Sequence, residues 1–267
     1  MLLRSGMCRQ GELESEVFQA WGARMGQPAG HLHRKIWEWC YIAQALWERD
    51  MLRPGRRGLG FAVGREPLAD LFASLGCEIV ATDVETDEAV AGDWVARGMH
   101  ADSVEALNWR EICEPGLFRE RATFRFVDMR HLPPAEELGS FDFLWSACSL
   151  EHLGSLAMGE QFVYDALRYL RTDGGCGVCV HTMEFNVGSD DATISRGPTV
   201  LYRMRDLRRM AAELNWRGYG VDLDFRDGDL LGDQAVDVPP YQHKVHLKLL
   251  MDGYRVTSFG LIGMGQG

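Results

Sequence analysis

The sequence contains no uninterrupted apolar stretch as long as a membrane span requires. A transmembrane helix takes about 18 or more apolar residues in succession, and every apolar run in this chain is interrupted well before that length. The N-terminal region also lacks the apolar core of a signal peptide, because charged residues follow at Arg4, Arg9 and Glu12. We therefore expect a cytoplasmic protein that does not enter a membrane.

Basic residues are few relative to acidic ones. The 267 residues include 28 Lys plus Arg against 39 Asp plus Glu, which gives a formal net charge of −11. Sequence-independent binding of nucleic acid needs a basic surface that neutralises phosphates, so we expect no nucleic-acid partner. The hydrophobic fraction of 46% is that of a packed globular protein, and the length suits a single domain.

The chain also lacks the cysteine pairs of a zinc site. Its seven cysteines are an odd number and suit a reducing compartment. Cys176 and Cys179 are separated by two residues, but residues three apart on a strand point to opposite faces of the sheet. Because no second pair completes a tetrahedral site, the cysteines predict no metal centre.

What the sequence does contain is an alternation of short apolar runs with helical patterns. Apolar residues at three- and four-residue spacing predict helices between the runs. The predicted strands are 58–63, 78–82, 123–127, 141–147 and 177–182, and the predicted helices are 31–52, 67–75, 86–97, 156–171 and 203–214. Strands that alternate with helices predict a parallel sheet built from right-handed βαβ units.

The last part of the chain does not follow this alternation of strands and helices. Two apolar runs, 243–251 and 254–262, meet at Asp252-Gly253, a dipeptide typical of a β-hairpin. We therefore predict a Rossmann-like α/β fold, with an open, mostly parallel sheet, helices on both faces and a C-terminal antiparallel hairpin strand. Within this single domain we expect an N-terminal helical cap at 1–52, a cofactor-binding core at 53–183, and an acceptor-side segment with the hairpin at 184–267.

A glycine-rich turn follows the first strand of the core. Gly58, Gly60 and Gly64 allow a tight turn and a close approach of the backbone to a ligand, and the helix that follows offers free N–H groups. Asp83 ends the next strand, where a carboxylate can accept hydrogen bonds from both hydroxyls of a ribose. These residues predict a nucleotide site, and they suit a nicotinamide cofactor as well as other nucleosides.

Further polar residues stand at the ends of the later strands. Asp128 ends the third strand and precedes Met129, so the carboxylate can accept a hydrogen from an adenine amine while the methionine packs on the ring. The fourth strand passes through Ser146 and is followed by Ser149-Leu150-Glu151-His152, and a Leu-Arg-Thr-Asp-Gly-Gly turn at 170–175 leads to the fifth.

In this order, the segments resemble the class I S-adenosylmethionine-dependent methyltransferases. The resemblance covers about residues 50–183 and 243–262 and rests on the ordered set of motifs rather than on any one of them. It implies S-adenosylmethionine (SAM) as the cofactor and S-adenosylhomocysteine (SAH) as the product. The implied cofactor-binding residues are Gly58, Gly60, Ala62, Gly64, Glu66, Asp83, Val84, Asp128, Met129 and Ser146.

The resemblance also implies a role for each part of this set. The loop 60–64 would lie under the methionine moiety, and Asp83 would hold the ribose. Asp128 would hold the adenine amine, and Ser146 would border the transferred methyl group.

Two residues depart from the family pattern. Gly58 stands where the family usually has an acid, and Ala62 stands where it usually has a glycine. Ala62 is tolerated if its φ is negative. Glu66 can replace the missing acid as the partner of the cofactor's ammonium group, although a glutamate in the first turn of a helix is also favoured by the helix dipole.

Methyl transfer from a sulfonium is an in-line displacement, in which the protein supplies alignment and, for a hydroxyl acceptor, a base. His152 follows the fourth strand, His181 lies at the end of the fifth, and Glu184 follows the fifth. We expect His181 to face the cleft and act as the base, His152 to fix the loop around the cofactor, and Glu184 to orient His181 or bind an acceptor hydroxyl. A divalent cation near His181, Glu184 and the pair 190–191 is the weaker alternative, and we predict no metal.

The leading hypothesis is a methyltransferase that acts at oxygen on a small or saccharide-like acceptor. Segments 58–68, 149–153 and 181–186 are similar to a bacterial subgroup associated with cell-surface glycan synthesis. An NAD(P)-dependent oxidoreductase is the alternative enzyme, but the chain lacks a Tyr-x-x-x-Lys pair for hydride chemistry. A catalytically silent binding subunit stays open because Gly58 replaces the usual acid.

Overall fold

A computed structural model describes residues 2–85, 98–172 and 176–266. The helix predicted at 86–97 and the Asp-Gly-Gly part of the predicted turn at 173–175 lie outside these residues. Ten strands form one sheet. They are β1 (Ser5–Met7), β2 (Arg57–Gly60), β3 (Glu78–Asp83), β4 (Ala122–Phe126), β5 (Phe143–Ala147), β6 (Val178–Asn186), β7 (Tyr219–Gly220), β8 (Leu223–Asp224), β9 (Leu249–Met251) and β10 (Tyr254–Gly265).

Helices connect most of these strands. In chain order they are α1 (Gln10–Leu13), α2 (Glu16–Arg24), α3 (Arg34–Trp47), α4 (Leu68–Ser74), α5 (Val104–Leu107), α6 (Pro115–Arg121), α7 (Ala135–Leu138), α8 (Leu156–Ala166), α9 (Met204–Trp216) and α10 (Leu231–Gln234). Short 3₁₀ turns cover Leu150–His152 and Leu167–Tyr169. Among the described residues, no helix is long and apolar enough to cross a membrane.

The sheet has the predicted mostly parallel arrangement. Its main path runs β4-β3-β2-β5-β6-β10-β1-β8, and the first five strands of that path are mutually parallel. Such an order places β2 and β5 at the centre, with successive crossovers running outward on both sides. In open α/β sheets of this kind, ligands bind beyond the carboxyl ends of the central strands.

The C-terminal hairpin is also confirmed, although its strands are unequal. β9 pairs with β10 around Asp252-Gly253, and both turn residues have positive φ, at 47° and 84°, as a two-residue I′ hairpin turn requires. β10 then runs antiparallel to β6 from Val256↔Asn186 to Met264↔Val178. This long pairing extends β6 to Asn186, beyond the predicted end at 182.

The N-terminal segment contributes an unpredicted strand. β1 lies antiparallel to β10, with Gly6 opposite Gly260. The hydroxyl of Tyr41, on α3, donates to the carbonyl oxygens of Arg4 and Gly260 at 2.9 and 3.0 Å. The Tyr41 ring also fills the space of a side chain at position 260, where a Cβ would lie 2.0 Å from it. α3 is therefore fixed against the part of the sheet that is formed by β1 and β10.

Two apolar layers enclose the sheet, because side chains alternate between its faces. On one face, α3 and α4 pack through Trp37, Ile42 and Phe72. On the other face, α8 and α9 pack through Phe162 and Leu207. The fold thus has the predicted helices on both faces of the sheet.

Candidate functional site

A cavity of about 750 Å³ opens at the carboxyl ends of the parallel strands. Its walls are the loops that follow β2, β3, β4 and β5, together with the end of β6 and the start of α3. Of the residues predicted from the sequence, it is lined by Ala62, Gly64, Glu66, Asp83, Val84, Asp128, Met129, His152 and Glu184. Gly58, Gly60, Ser146 and His181 do not line it.

Asp83 ends β3 with a buried carboxylate that accepts three backbone N–H groups. Oδ2 accepts from Gly64 at 3.1 Å and from Ala101 at 3.4 Å, and Oδ1 accepts from Val84 at 2.9 Å. Burial raises the pKa of Asp83 although these hydrogen bonds oppose the shift. An ionised carboxylate has about four lone-pair sites, so one site is left for a ligand hydroxyl. The neighbouring Val84 is held through its carbonyl, 2.7 Å from His100 Nε2.

The turn after β2 passes through two residues in the left-handed region. Gly64 has φ +51°, and a Cβ there would lie 2.6 Å from the Met99 carbonyl oxygen, so only glycine fits. Ala62 has φ +46°, so it does not meet the condition of a negative φ under which an alanine is tolerated here without strain. An alanine in this conformation costs about 1–2 kcal/mol, and residues strained in this way cluster at binding sites.

Gly58 and Gly60 serve packing rather than ligand approach, which corrects the sequence prediction. Both lie within β2 beneath the aromatic side chains of β5. A Cβ at Gly58 would lie 2.3 Å from the Phe143 ring, and one at Gly60 would lie 2.3 Å from the Trp145 ring. The two glycines are needed because parallel neighbours in register place these large rings over them.

Glu66 lies at the other end of the same turn and brings a carboxylate into the cavity. Its Oε1 pairs with Lys35 Nζ at 3.5 Å, and the Lys35 ammonium also pairs with Glu38 at 2.7 Å. Glu66 Oε2 is buried and has no hydrogen-bond partner among the described residues. Burial raises the pKa of Glu66 to about 7, against the opposing charge of Lys35.

Asp128 and Met129 form the wall beyond β4. Asp128 accepts hydrogen bonds from the backbone N–H and the guanidinium Nε of Arg130, both at 2.9 Å, and lies 2.9 Å from His131 Nδ1. Burial opposes ionisation, but these hydrogen bonds outweigh it and hold the pKa of Asp128 below its usual value. Met129 is buried beside it. An ionised acceptor thus adjoins an apolar surface.

Ser146 and His181 point away from the cavity, so the expectation that His181 faces the cleft is wrong. They are register partners on β5 and β6, and Ser146 Oγ lies 2.8 Å from His181 Nδ1. Both are fully buried on the face covered by α8, where Phe162 meets the His181 ring edge-on. Burial lowers the pKa of His181 to about 4, which makes it a neutral core histidine at neutral pH.

Glu184 and His152 do reach the cavity, from the end of β6 and the loop after β5. Glu184 lies three residues beyond His181 and so projects from the opposite face, where it forms an ion pair with Arg34 of α3. His152 Nδ1 lies 2.8 Å from the Pro198 carbonyl oxygen, so Nδ1 carries the hydrogen of this bond. Burial lowers the pKa of His152.

Glu151, to which the sequence assigned no role, also lines this part of the cavity. It lies in the 3₁₀ turn after β5, and its side chain is fully buried. Donor atoms of Cys148, Glu151 and Glu184 lie within 4.8 Å of one another. This spacing would suit a metal ion, but the Arg34 guanidinium already neutralises Glu184, and the nearby Lys35 ammonium adds positive charge that repels a divalent cation.

Comparisons with known proteins agree with this geometry at the level of the fold. No model of a known protein family matches the chain, and no curated protein sequence matches it. The structure is similar to magnesium protoporphyrin IX methyltransferase from Synechocystis PCC 6803 with bound SAH, at a TM-score of 0.50 and 13% identity over 96% of this chain and 98% of that one. It is also similar to a protein from Galdieria sulphuraria assigned as a sarcosine dimethylglycine methyltransferase, at a TM-score of 0.53 and 16% identity over 94% and 98%.

The chain therefore has the Rossmann-like fold of the class I SAM-dependent methyltransferases. The residues around the cavity also suit SAM chemically. The buried, unpartnered oxygen of Glu66 can accept an ammonium hydrogen, Asp83 has a lone-pair site for a ribose hydroxyl, and Met129 offers an apolar surface for a purine.

Proposed function

We propose that this protein is a SAM-dependent methyltransferase that methylates the oxygen of a small or saccharide-like acceptor by in-line displacement. The observation that carries the proposal is the convergence of Glu66, Asp83 and Met129 on one cavity at the carboxyl edge of a sheet with this fold. These three residues match, in kind and order, the ammonium, ribose and purine of SAM.

The cofactor would extend along the ends of β2, β3 and β4. Asp128 and Met129 would hold the adenine, Asp83 and Val84 the ribose, and Gly64 and Glu66 the methionine end. When bound, SAM supplies an activated methyl group on a sulfonium. The chain's own residues then provide alignment, which accounts for much of the rate in a displacement of this type.

The acceptor would enter between β5 and β6, on the side of the cavity away from the adenine. Glu184, held by Arg34, can accept a hydrogen bond from an acceptor hydroxyl. His152, fixed by the Pro198 carbonyl, can hold the loop that borders the acceptor. A carbohydrate-type acceptor, such as one in cell-surface glycan synthesis, suits this polar end because it offers several hydroxyls.

Calorimetry separates this proposal from a nicotinamide-dependent enzyme. We expect SAM and SAH to bind and NAD⁺ not to bind. Binding of NAD⁺ without a response to SAM or SAH would refute the proposal. Mass spectrometry of methyl glycosides and nucleotide sugars incubated with SAM should then show the gain of a methyl group on oxygen. Binding of SAM with no transfer to any hydroxylated, amine or thiol acceptor would favour a catalytically silent subunit.

A further inference from the structure

Glu151 is a buried carboxylate with no hydrogen-bond partner in the part of the chain that the structure describes. Its side chain is fully buried, and neither Oε1 nor Oε2 finds a donor. An unpaired buried charge costs several kcal/mol, so such groups are normally paired or neutralised. An orphan carboxylate at a cavity wall is therefore a site for a proton or for a ligand that donates one.

The groups around Glu151 leave it without a counter-ion of its own. Glu184, on β6, lies beside Glu151, with side-chain oxygens within 4.8 Å of each other, and its negative charge adds to the effect of burial in raising the pKa of Glu151 to about 8. The Arg34 guanidinium is engaged by Glu184, and the Lys35 ammonium is shared by Glu38 and Glu66. Among the residues that the structure describes, the other titratable groups that face Glu151 are the Cys148 thiol, just after β5, and the Tyr202 hydroxyl, which is buried and has no hydrogen-bond partner within that part of the chain.

We propose that Glu151 is the proton acceptor of the methyl transfer and that the acceptor group is a neutral hydroxyl held between Glu151 and the methyl donor. This inference rests on the function proposed above. Glu151 takes the role predicted for His181, which is buried away from the cavity.

The step balances in atoms and charge. The acceptor oxygen attacks the methyl carbon and forms a C–O bond, while the C–S bond breaks and its electron pair returns to sulfur. The hydroxyl proton passes to a Glu151 carboxylate oxygen. One positive charge on sulfur and one negative charge on Glu151 disappear together, which favours the transfer in a buried site because both ions are poorly solvated there.

The other polar groups of the cavity are less suited to this role. Glu184 already forms an ion pair with the Arg34 guanidinium, whereas neither carboxylate oxygen of Glu151 has a hydrogen-bond partner among the described residues. An amine acceptor would bind beside the Glu151 carboxylate as an ammonium, whose nitrogen has no lone pair for attack. A carboxylate without a counter-ion therefore selects a neutral donor of a hydrogen bond as the reactive acceptor.

Proton release on binding tests Glu151 without any acceptor. SAM carries a sulfonium charge and SAH does not, so SAM alone should lower the pKa of a nearby carboxyl. If that pKa falls by about one unit around pH 7.5, SAM releases about half a proton more than SAH. Titration calorimetry in two buffers of different ionisation enthalpy measures this difference. Glu66 faces the ammonium, which both ligands carry, so its contribution cancels.

The variant Glu151→Gln should remove that difference and leave the affinity for SAH within about two-fold. Glu160→Gln, a buried glutamate on α8 paired with Arg209 outside the cavity, is the matched control and should behave as wild type. Equal proton release by SAM and SAH in the wild-type protein would overturn the inference, and this measurement does not depend on the folding of any variant.

Turnover with a hydroxyl acceptor from the glycoside screen gives the second readout. In the wild-type protein, kcat should rise with pH as the Glu151 carboxyl, with a pKa of about 8, ionises. Glu151→Gln should lower kcat by about 100-fold or more and remove this rise. Wild-type rates in Glu151→Gln, or turnover that requires a divalent cation, would overturn the inference. If neither SAM nor SAH binds at all, the proposed function itself fails. If both bind and only the Glu151 results fail, the proposed function stands.

Discussion

The two halves of the cavity differ in how their polar groups are satisfied. In the donor half, formed by Ala62–Glu66, Asp83, Val84, Asp128 and Met129, the carboxylates of Asp83 and Asp128 already accept hydrogen bonds from neighbouring backbone and side chains. In the acceptor half, formed by Cys148, Glu151, His152 and Glu184, three carboxylate oxygens are buried without a hydrogen-bond partner among the described residues.

This contrast indicates that the donor half is preorganised and that the acceptor half is completed by its ligand. Preformed hydrogen bonds hold the groups that we propose to bind the cofactor in place before binding, so little ordering is needed. In the acceptor half, burying carboxylate oxygens without hydrogen-bond donors costs free energy. This cost falls only when a proton or a ligand hydroxyl binds to these oxygens. Glu66 is the exception in the donor half, since its buried oxygen without a hydrogen-bond partner among the described residues is the one that we propose to accept the ammonium of the cofactor.

The largest expected effect comes from removing the centre of the donor half. Asp83→Ala would leave three backbone N–H groups without their acceptor and would delete the proposed partner of the ribose. We expect the free energy of unfolding to fall by about 2–4 kcal/mol and the affinity for SAH to fall about 100-fold. Denaturant titration and calorimetry measure these quantities.

Asp142→Ala is the matched control for that variant. Asp142 lies at the opposite end of β5 and accepts hydrogen bonds from the Arg56 side chain and the Arg57 backbone, both at 2.8 Å. It should lose stability and keep its affinity for SAH. Unchanged SAH binding by Asp83→Ala would show that the donor half has been assigned wrongly.

The next prediction tests whether His181 acts in the reaction or only in the packing of the core behind the cavity. His181→Ala should leave turnover within about ten-fold of wild type, a smaller loss than removal of a general base causes, and should lower the free energy of unfolding by about 1–3 kcal/mol through the lost hydrogen bond with Ser146. A loss of turnover as large as that expected for Glu151→Gln, with a normal affinity for SAH, would restore His181 as the base.

The stability of the wild-type protein should also depend on pH through His181. Its folded pKa of about 4 lies below the unfolded value of about 6.5. The unfolded chain therefore binds the proton first, and stability falls as pH drops from about 6.5 toward 4. Comparing the pH dependence of unfolding in wild type and His181→Ala measures this contribution, which should be absent from the variant.

A smaller effect tests whether Glu66 binds the ammonium group in the donor half. Because its pKa is about 7 and the ammonium of SAH would pair with the carboxylate, affinity for SAH should rise about ten-fold between pH 6 and pH 8. Glu66→Gln should bind SAH weakly and without this pH dependence. The same pH dependence in Glu66→Gln would exclude Glu66 as its source.

The smallest effect concerns strain in the turn. Ala62→Gly relieves the cost of φ +46° but adds the larger entropy of glycine, so the net gain in the free energy of unfolding should be below about 1 kcal/mol. Ala69→Gly, inside α4, is the control and should cost about 1 kcal/mol. Equal losses in both variants would mean that position 62 is not strained.

The donor half was largely predictable from the sequence. Asp83 and Asp128 end apolar runs, and the carboxyl ends of parallel strands meet at one edge, so both were expected at the cofactor. The glycines were harder to interpret, because a glycine needed for a turn and a glycine needed beneath an aromatic ring look alike in a sequence. Gly64 belongs to the first kind, and Gly58 and Gly60 to the second.

The acceptor half was not predictable in the same way. The sequence predicted that the fifth strand ends at 182, which put His181 at the rim of the cleft. Pairing with the distant β10 extends the strand to Asn186, so Glu184 rather than His181 reaches the cavity. No pattern in the sequence predicts the burial of Glu151, because this burial depends on the packing of the 3₁₀ turn against β6 and on the approach of α3.

The most direct test of the account is a crystal structure of the protein with SAH. We predict the adenine against Met129, the amino group at Glu66, and the sulfur turned toward β5. The position of the missing methyl group should lie within about 6 Å of the Glu151 carboxylate, which leaves room for one hydroxyl oxygen between them. SAH bound outside this cavity, or with its sulfur directed away from Glu151, would contradict the account.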